Sequence, residues 1–329
     1  VPAGFDGAYL RGYRDAVNHL VDTLLSGGER TDAALAFGVG DAAPGEAQLT
    51  WGLQATGVAR SRFTGRGIRV AVLDTGIDLG HPDFVGRQGA SQSFVPEGEP
   101  VQDLHGHGTH CAGTACGPRQ PGRLPRYGVA GDAGLYVGKV LNNRGNGTDE
   151  GILAGIDWAL ANGCQVISMS LGAPVFPGQG FSPFFEQVAK RALAAGSLII
   201  AAAGNDSGRP GFISPVSHPA NCPSIMAVGA LDSWLRMGAF SNGGINLQGG
   251  QVDIAGPGVA VLSAWPRPFL YHSLNGTSMA APHVAGIAAL YAEADPSARG
   301  LALATLLMQR ARRLQLPSRD VGVGLVQAP

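Results

Sequence analysis

From residue 67 onward the hydrophobic positions fall into short unbroken runs: IRVAVLD (68–74), LYVGKVL (135–141), CQVISMS (164–170), SLIIAAA (197–203) and SIMAVGA (224–230). Runs of this length, rich in Val, Ile and Ala, predict strands buried on both faces. Between them, 151–163 and 184–196 carry helix-like patterns and each closes on Gly, as a helix C-terminus does. A further long apolar helix is predicted within 275–294. Alternating strands and helices specify an α/β fold, a doubly wound, mostly parallel sheet with helices on both faces. Ligand chemistry in such folds collects at the carboxyl ends of the strands, so polar residues there are the first to inspect.

The start of the chain follows a different pattern. Residues 8–25 place Leu10, Tyr13, Val17, Leu20, Val21 and Leu24 on one helical stripe, ended by Gly27-Gly28. An Ala/Gly-rich stretch without period follows. Residues 1–45 therefore read as an N-terminal extension and residues 46–329 as the main domain. The extension has three readings: an inhibitory segment across a cleft, the remainder of a processed precursor, or a helix packed on the body.

Composition narrows the function classes. The 23 Lys+Arg and 24 Asp+Glu leave a formal charge of -1, which argues against a nucleic-acid or anionic-membrane partner. Apolar runs stop short of the roughly 18 residues a membrane span needs. No charged stretch followed by an apolar run opens the chain, so a secretion leader is either absent or already removed. The four cysteines, Cys111, Cys116, Cys164 and Cys222, form no CxxC pair and read as buried small hydrophobes, with a Cys164–Cys222 bridge left open.

Three segment ends carry candidate chemistry. Asp74 closes the first predicted strand in VAVLDTGID. His105, His107 and His110 fall together in DLHGHGTHCAG (103–113). Ser278 follows a Gly-Thr turn at the start of the long apolar helix, where the dipole and free N–H groups favour a developing anion. A carboxylate, an imidazole and a hydroxyl are the parts of an acyl-transfer triad. The HxHxxH spacing also suits a dinuclear metallohydrolase, except that Thr109 stands where a ligand carboxylate belongs. No GxGxxG or P-loop follows a strand, which argues against a nucleotide-binding module. A non-catalytic binding protein on the same scaffold is the remaining alternative.

The strings DTGID (74–78), HPDF (81–84), GHGTHCAG (106–113), SLG (170–172), AAAGN (201–205) and NGTSMAAPHVAG (275–286) together resemble the motif series of the subtilisin-like serine proteases, from Trp51 to the C-terminal GVGLVQAP. The resemblance implies a serine endopeptidase acting on peptide or protein substrates, with Asp74 orienting His107, His107 as general base and then acid, and Ser278 as nucleophile. It makes Asn205 an oxyanion donor together with the Ser278 N–H. It places a peptide between Gly145-Asn146-Gly147 and Ser170-Leu171-Gly172 as an added strand. Ala202, Ala203 and Gly204 would line the pocket for the residue before the cleaved bond, with Ser217 near its floor. None of these is acidic, so an apolar or aromatic side chain is expected there.

Catalysis of this kind requires no cofactor, and activity is expected to rise as His107 deprotonates around neutral pH. Asp83 in HPDF is similar to a structural calcium ligand of bacterial members. The partner loop GPRQPGRLPRY (117–127) lacks the matching Asn-rich pattern, and a turn or ion-pair role is the alternative. Cys111 after HGTH resembles the proteinase K branch, where a free thiol lies behind the histidine. Met279, beside Ser278, would make activity sensitive to peroxide.

Overall fold

The computed structural model describes residues 49–96, 98–122 and 124–329, so the predicted helix at 8–25 and the boundary at 45–46 lie outside the described residues. Seven strands form one sheet: β1 (Arg69–Asp74), β2 (Gln88–Ser93), β3 (Gly134–Lys139), β4 (Val166–Met169), β5 (Leu198–Ala202), β6 (Met226–Leu231) and β7 (Ile254–Pro257). Their order is β2-β3-β1-β4-β5-β6-β7, and every pairing is parallel. The five apolar runs are β1, β3, β4, β5 and β6. Three things escaped the hydrophobic pattern: the edge strand β2, whose sequence QGASQS is almost wholly polar, the short β7, and an antiparallel hairpin of β8 (Val261–Ala264) and β9 (Tyr271–Leu274).

Seven helices accompany the sheet among the described residues: α1 (Trp51–Ala55), α2 (His107–Cys116), α3 (Asp149–Ala161), α4 (Pro183–Ala194), α5 (Thr277–Ala294), α6 (Leu301–Arg310) and α7 (Ser318–Val321). The period-2 geometry of a strand sends alternate side chains into two cores. Val70 and Val72 of β1 join one core with Cys111, Ala112, Ala115 and the Ala-rich face of α5, while Ala71 and Leu73 join the other with Ile152, Ile156, Phe185 and Ala189. Strands buried on both faces explain why the runs were unbroken.

Helix α3 opens with the Thr148 hydroxyl accepting the Gly151 N–H and with Asp149 and Glu150 in its first turn, both favourable at an N-terminus. Helix α5 has small apolar residues almost all round, so it lies inside the protein against α2, β4, β5, β6 and β7. Such close packing leaves little room for larger side chains. All four cysteines are free, which settles the Cys164–Cys222 question against a bridge; each is buried as a small hydrophobe. No helix among the described residues is long and apolar enough to cross a membrane.

Candidate active site

The ends of β1, β4 and β5 and the starts of α2 and α5 meet at the carboxyl edge of the sheet. Asp74, the last residue of β1, is fully buried. Its Oδ1 accepts the Thr75 N–H at 2.7 Å and lies 2.8 Å from His107 Nδ1. That contact assigns the ring proton to Nδ1 and leaves Nε2 as a lone pair.

Two glycines around His107 make the approach possible. Gly106 holds φ 103°, and a Cβ there would stand 2.5 Å from the Trp265 ring. A Cβ on Gly108 would stand 2.3 Å from the Gly76 carbonyl oxygen, so α2 can touch the turn after β1 only through glycine. The α2 N-terminus is tied down by Asp103, which sequence reasoning missed. Its buried carboxylate accepts the N–H groups of His105, Gly106 and Thr109 and the hydroxyls of Thr75 and Thr109. Lys139, also buried, donates to the Thr75 carbonyl at 2.6 Å from the end of β3.

Ser278 is the second residue of α5, and its hydroxyl donates to the Ser170 carbonyl at 3.4 Å. Asn205, just beyond β5, has its amide fixed by Thr277, whose N–H and hydroxyl donate to Oδ1 at 2.8 and 3.0 Å. The Asn205 Nδ2 is thereby the free end, and a Cβ built on Gly276 would be 3.6 Å from it. An imidazole lone pair, a hydroxyl at a helix N-terminus and an uncharged N–H donor thus share one cleft. Such a set can remove a proton from a hydroxyl and hold an oxyanion.

Burial disfavours the charged form of His107, but the Asp74 carboxylate outweighs it and holds the ring's pKa well above the usual 6.5. The expected neutral-range onset of activity therefore moves toward alkaline pH. Cys111 Sγ lies 3.9 Å from His107 Nδ1, yet burial pushes its pKa up and leaves it a thiol, a weak nucleophile.

The three histidines do not converge on a metal. His110 is buried, bonded through Nε2 to the Val261 carbonyl at 2.9 Å, and pushed down to about 3 by burial. His105 is exposed beside Gly145, its ring centroid 6.2 Å from that of His107. Among the described residues the one metal-competent group combines Asp74, His107 and Cys111, which the geometry already engages with one another. Asp83 belongs to no such group; its carboxylate takes the Tyr127 hydroxyl and faces that of Tyr271.

The cleft is lined by Gly145, Asn146 and Gly147 on one side and Ser170, Leu171 and Gly172 on the other, with Ala202, Gly204 and Ser217 also present. Ala203 is a correction: strand alternation turns it away from Ala202 into the α3–α4 core, fully buried and off the cleft wall. The wall also holds an acidic residue outside the four predicted positions. Asp206 lines the cleft and accepts from Ser217 Oγ at 3.2 Å and Asn242 Nδ2 at 2.9 Å. Its place directly after Asn205 in AAAGND was the available signal.

A protein-family model described as the subtilase family matches residues 65–324. Subtilisin E of Bacillus subtilis (strain 168) is 43% identical over 236 residues, which are 71% of this chain and 58% of that protein. Subtilisin BL of Lederbergia lenta is 42% identical over 284 residues, covering 85% of this chain and 97% of that protein. The solved structure of sphericase is similar with a TM-score of 0.73 and 32% identity, covering 86% of this chain and 99% of that one.

Proposed function

The chain belongs to the subtilase family, and from that premise we propose that it is a serine endopeptidase hydrolysing peptide bonds through an acyl-enzyme. The observation that carries the reading is the 2.8 Å contact of Asp74 with His107 in the cleft that also holds Ser278 and Asn205. His107 Nε2 takes the Ser278 hydroxyl proton as Oγ attacks the substrate carbonyl. The resulting oxyanion is held by Asn205 Nδ2 and the Ser278 N–H. His107 then gives the proton to the leaving amine, and water reverses the sequence to release the acid. The steps use side chains and one backbone N–H of this chain together with the attacking water, and none calls on a cofactor.

The substrate is a peptide or protein laid between Gly145–Gly147 and Ser170–Gly172. Support comes from unused backbone groups: among the described residues, neither the N–H nor the C=O of Gly147 or Gly172 has a partner. Such edges bind main chain and tolerate many sequences. Ala202 and Gly204 favour an apolar residue before the cleaved bond. Asp83 is assigned a packing role, because its carboxylate receives the Tyr127 hydroxyl and faces that of Tyr271, and among the described residues it belongs to no cluster of three ligand groups.

The direct test is labelling by a serine-directed fluorophosphonate read as intact mass. One adduct, lost in Ser278→Ala, is the expected result; an unlabelled chain, or an adduct that persists in the variant, would overturn the assignment.

A further inference from the structure

The sequence holds four Asn-Gly pairs: Asn146-Gly147, Asn162-Gly163, Asn242-Gly243 and Asn275-Gly276. In such a pair the glycine nitrogen can attack the asparagine side-chain carbonyl, because glycine carries no side chain to shield it. The attack needs a nitrogen free of other bonds and an amide free to turn. Three pairs lack both. Gly163, Gly243 and Gly276 donate their N–H groups to the carbonyls of Leu160, Ser214 and Gly258 at 2.9, 3.0 and 2.8 Å. The Asn162 amide donates to the Trp158 carbonyl, that of Asn242 is held at both ends by Asp206, Ser207 and Ser217, and that of Asn275 accepts the Ala260 N–H.

Asn146-Gly147 meets both conditions. Both residues are exposed, and among the described residues neither the Gly147 N–H nor the Asn146 amide has a hydrogen-bond partner. The main chain of Asn146 is nevertheless fixed, its N–H donating to Asn142 Oδ1 at 3.0 Å and its carbonyl accepting the Asn142 N–H at 2.7 Å. A fixed main chain holds the Gly147 nitrogen beside a side chain that still turns, so little ordering is needed for the two to meet. Glycine at 147 is itself imposed by the fold, since a Cβ there would stand 2.5 Å from the Val140 carbonyl oxygen.

We propose that Asn146 is a site of spontaneous deamidation, with water as the co-reactant. The Gly147 nitrogen gives up its proton and bonds to Asn146 Cγ, the Cγ–Nδ2 bond breaks, and ammonia leaves a succinimide behind. Water then opens the ring. Opening at Cγ gives aspartate, and opening at the main-chain carbonyl gives isoaspartate, with nothing oxidised or reduced. The imide deprives Gly147 of its N–H. Isoaspartate adds one carbon to the main chain before Gly147 and turns the carbonyl that accepts Asn142 into a free carboxylate, and either acid puts a negative charge on the cleft wall. The chain thus loses affinity for a bound peptide as it ages, and a bound peptide that occupies the Gly147 N–H slows the loss. This effect on the cleft rests on the peptidase reading; the modification itself does not.

The test uses the full chain carrying Ser278→Ala, which prevents self-cleavage, held in mildly alkaline buffer with and without a saturating extended peptide. Each Asn-Gly pair is followed by peptide mass mapping, with isoaspartate methyltransferase marking the isomer. Conversion at Asn146 should exceed that at each other pair by about tenfold or more, the factor expected of one hydrogen bond on the attacking nitrogen, and the peptide should slow it. Aged protein should bind the peptide severalfold more weakly than fresh protein. Conversion at Asn146 no faster than at the other pairs would overturn the site. Equal affinity of fresh and aged protein would overturn its effect on the cleft. Fresh protein that binds no peptide would strike the peptide-edge reading and that effect with it, while the mass map decides the site alone.

Discussion

The Ser170 hydroxyl donates to the Ser278 carbonyl at 2.7 Å, filling a place that Pro282 vacates. In a regular helix that carbonyl would accept the N–H of residue 282, four residues on, and proline has none. The thiol of Cys111 approaches the same oxygen at 3.5 Å. The first turn of α5 is thus anchored to the end of β4 by a side chain rather than by its own ladder, and the residue so anchored is the proposed nucleophile.

Ser170→Ala should therefore leave a buried carbonyl with only a weak sulfur donor. The expected cost is about 1–3 kcal/mol of stability, measured by denaturant unfolding in a Ser278→Ala background that prevents self-cleavage. Adding Pro282→Ala restores an N–H to the carbonyl. The double substitution should then cost less than the sum of the two single ones, and strict additivity would refute the coupling.

Thr277 holds the Asn205 amide by two bonds, so Asn205 and Thr277 should differ in degree. Asn205→Leu removes the donor and should lower kcat by about 100- to 1000-fold with little change in KM. Thr277→Val keeps the backbone bond and loses the hydroxyl, and its loss of kcat should be smaller. Equal losses would mean that the hydroxyl alone fixes the amide.

The raised pKa of His107 has a definite sign. The neutral ring is the base, so kcat/KM should rise with pH along an acid limb lying above 6.5, and Asp74→Asn should move the limb down while reducing the rate. The same shift contributes stability that is fully present below the unfolded value and is lost as pH rises through the folded one. A pH–rate profile with its limb at or below the ordinary imidazole range would contradict this geometry.

Asp78, buried after β1, is held by the Arg267 N–H, Nε and Nη2 at 2.9, 3.0 and 2.9 Å. Burial works against its ionised form, but the hydrogen bonds from the Arg267 side chain and N–H, the Gln102 amide and the Gly80 N–H together hold its carboxyl well below the usual range. That contribution is present above the unfolded carboxylate pKa and lost as pH falls through the depressed folded value. Arg267→Met should lower Tm by a few degrees at neutral pH, with the deficit shrinking in strong acid. A deficit independent of pH would point to lost packing instead.

Gly108→Ala tests the approach of α2 to β1. With the Gly76 oxygen 2.3 Å from the new methyl, the helix must shift, at about 1–3 kcal/mol, and the His107–Asp74 contact must lengthen. Activity should fall by more than stability alone explains. Unchanged turnover would show that the helix yields elsewhere.

Local pattern carried much of this molecule. Five strands were legible because each is buried on both faces and so appears as an unbroken apolar run. Asp74 and Ser278 stood out as polar residues at a strand end and a helix start, but the choice of His107 among three histidines and the role of Asn205 came from the resemblance of GHGTHCAG and AAAGN to a known family. The polar run of β2 hid an edge strand, and β7, at Ile254–Pro257, was too short to declare itself. What residues far apart in the chain do to one another was decided by the tertiary structure. Ala202 and Ala203 are the same residue type in the same run, yet alternation puts Ala202 in the core that borders the cleft and Ala203 in the opposite core, off the cleft wall. The charge facing His107 and the fixing of the Asn205 amide by Thr277 depend on contacts between residues 33 and 72 positions apart. Hydrophobic periodicity reports which face of an element is buried; it does not report what is buried against it.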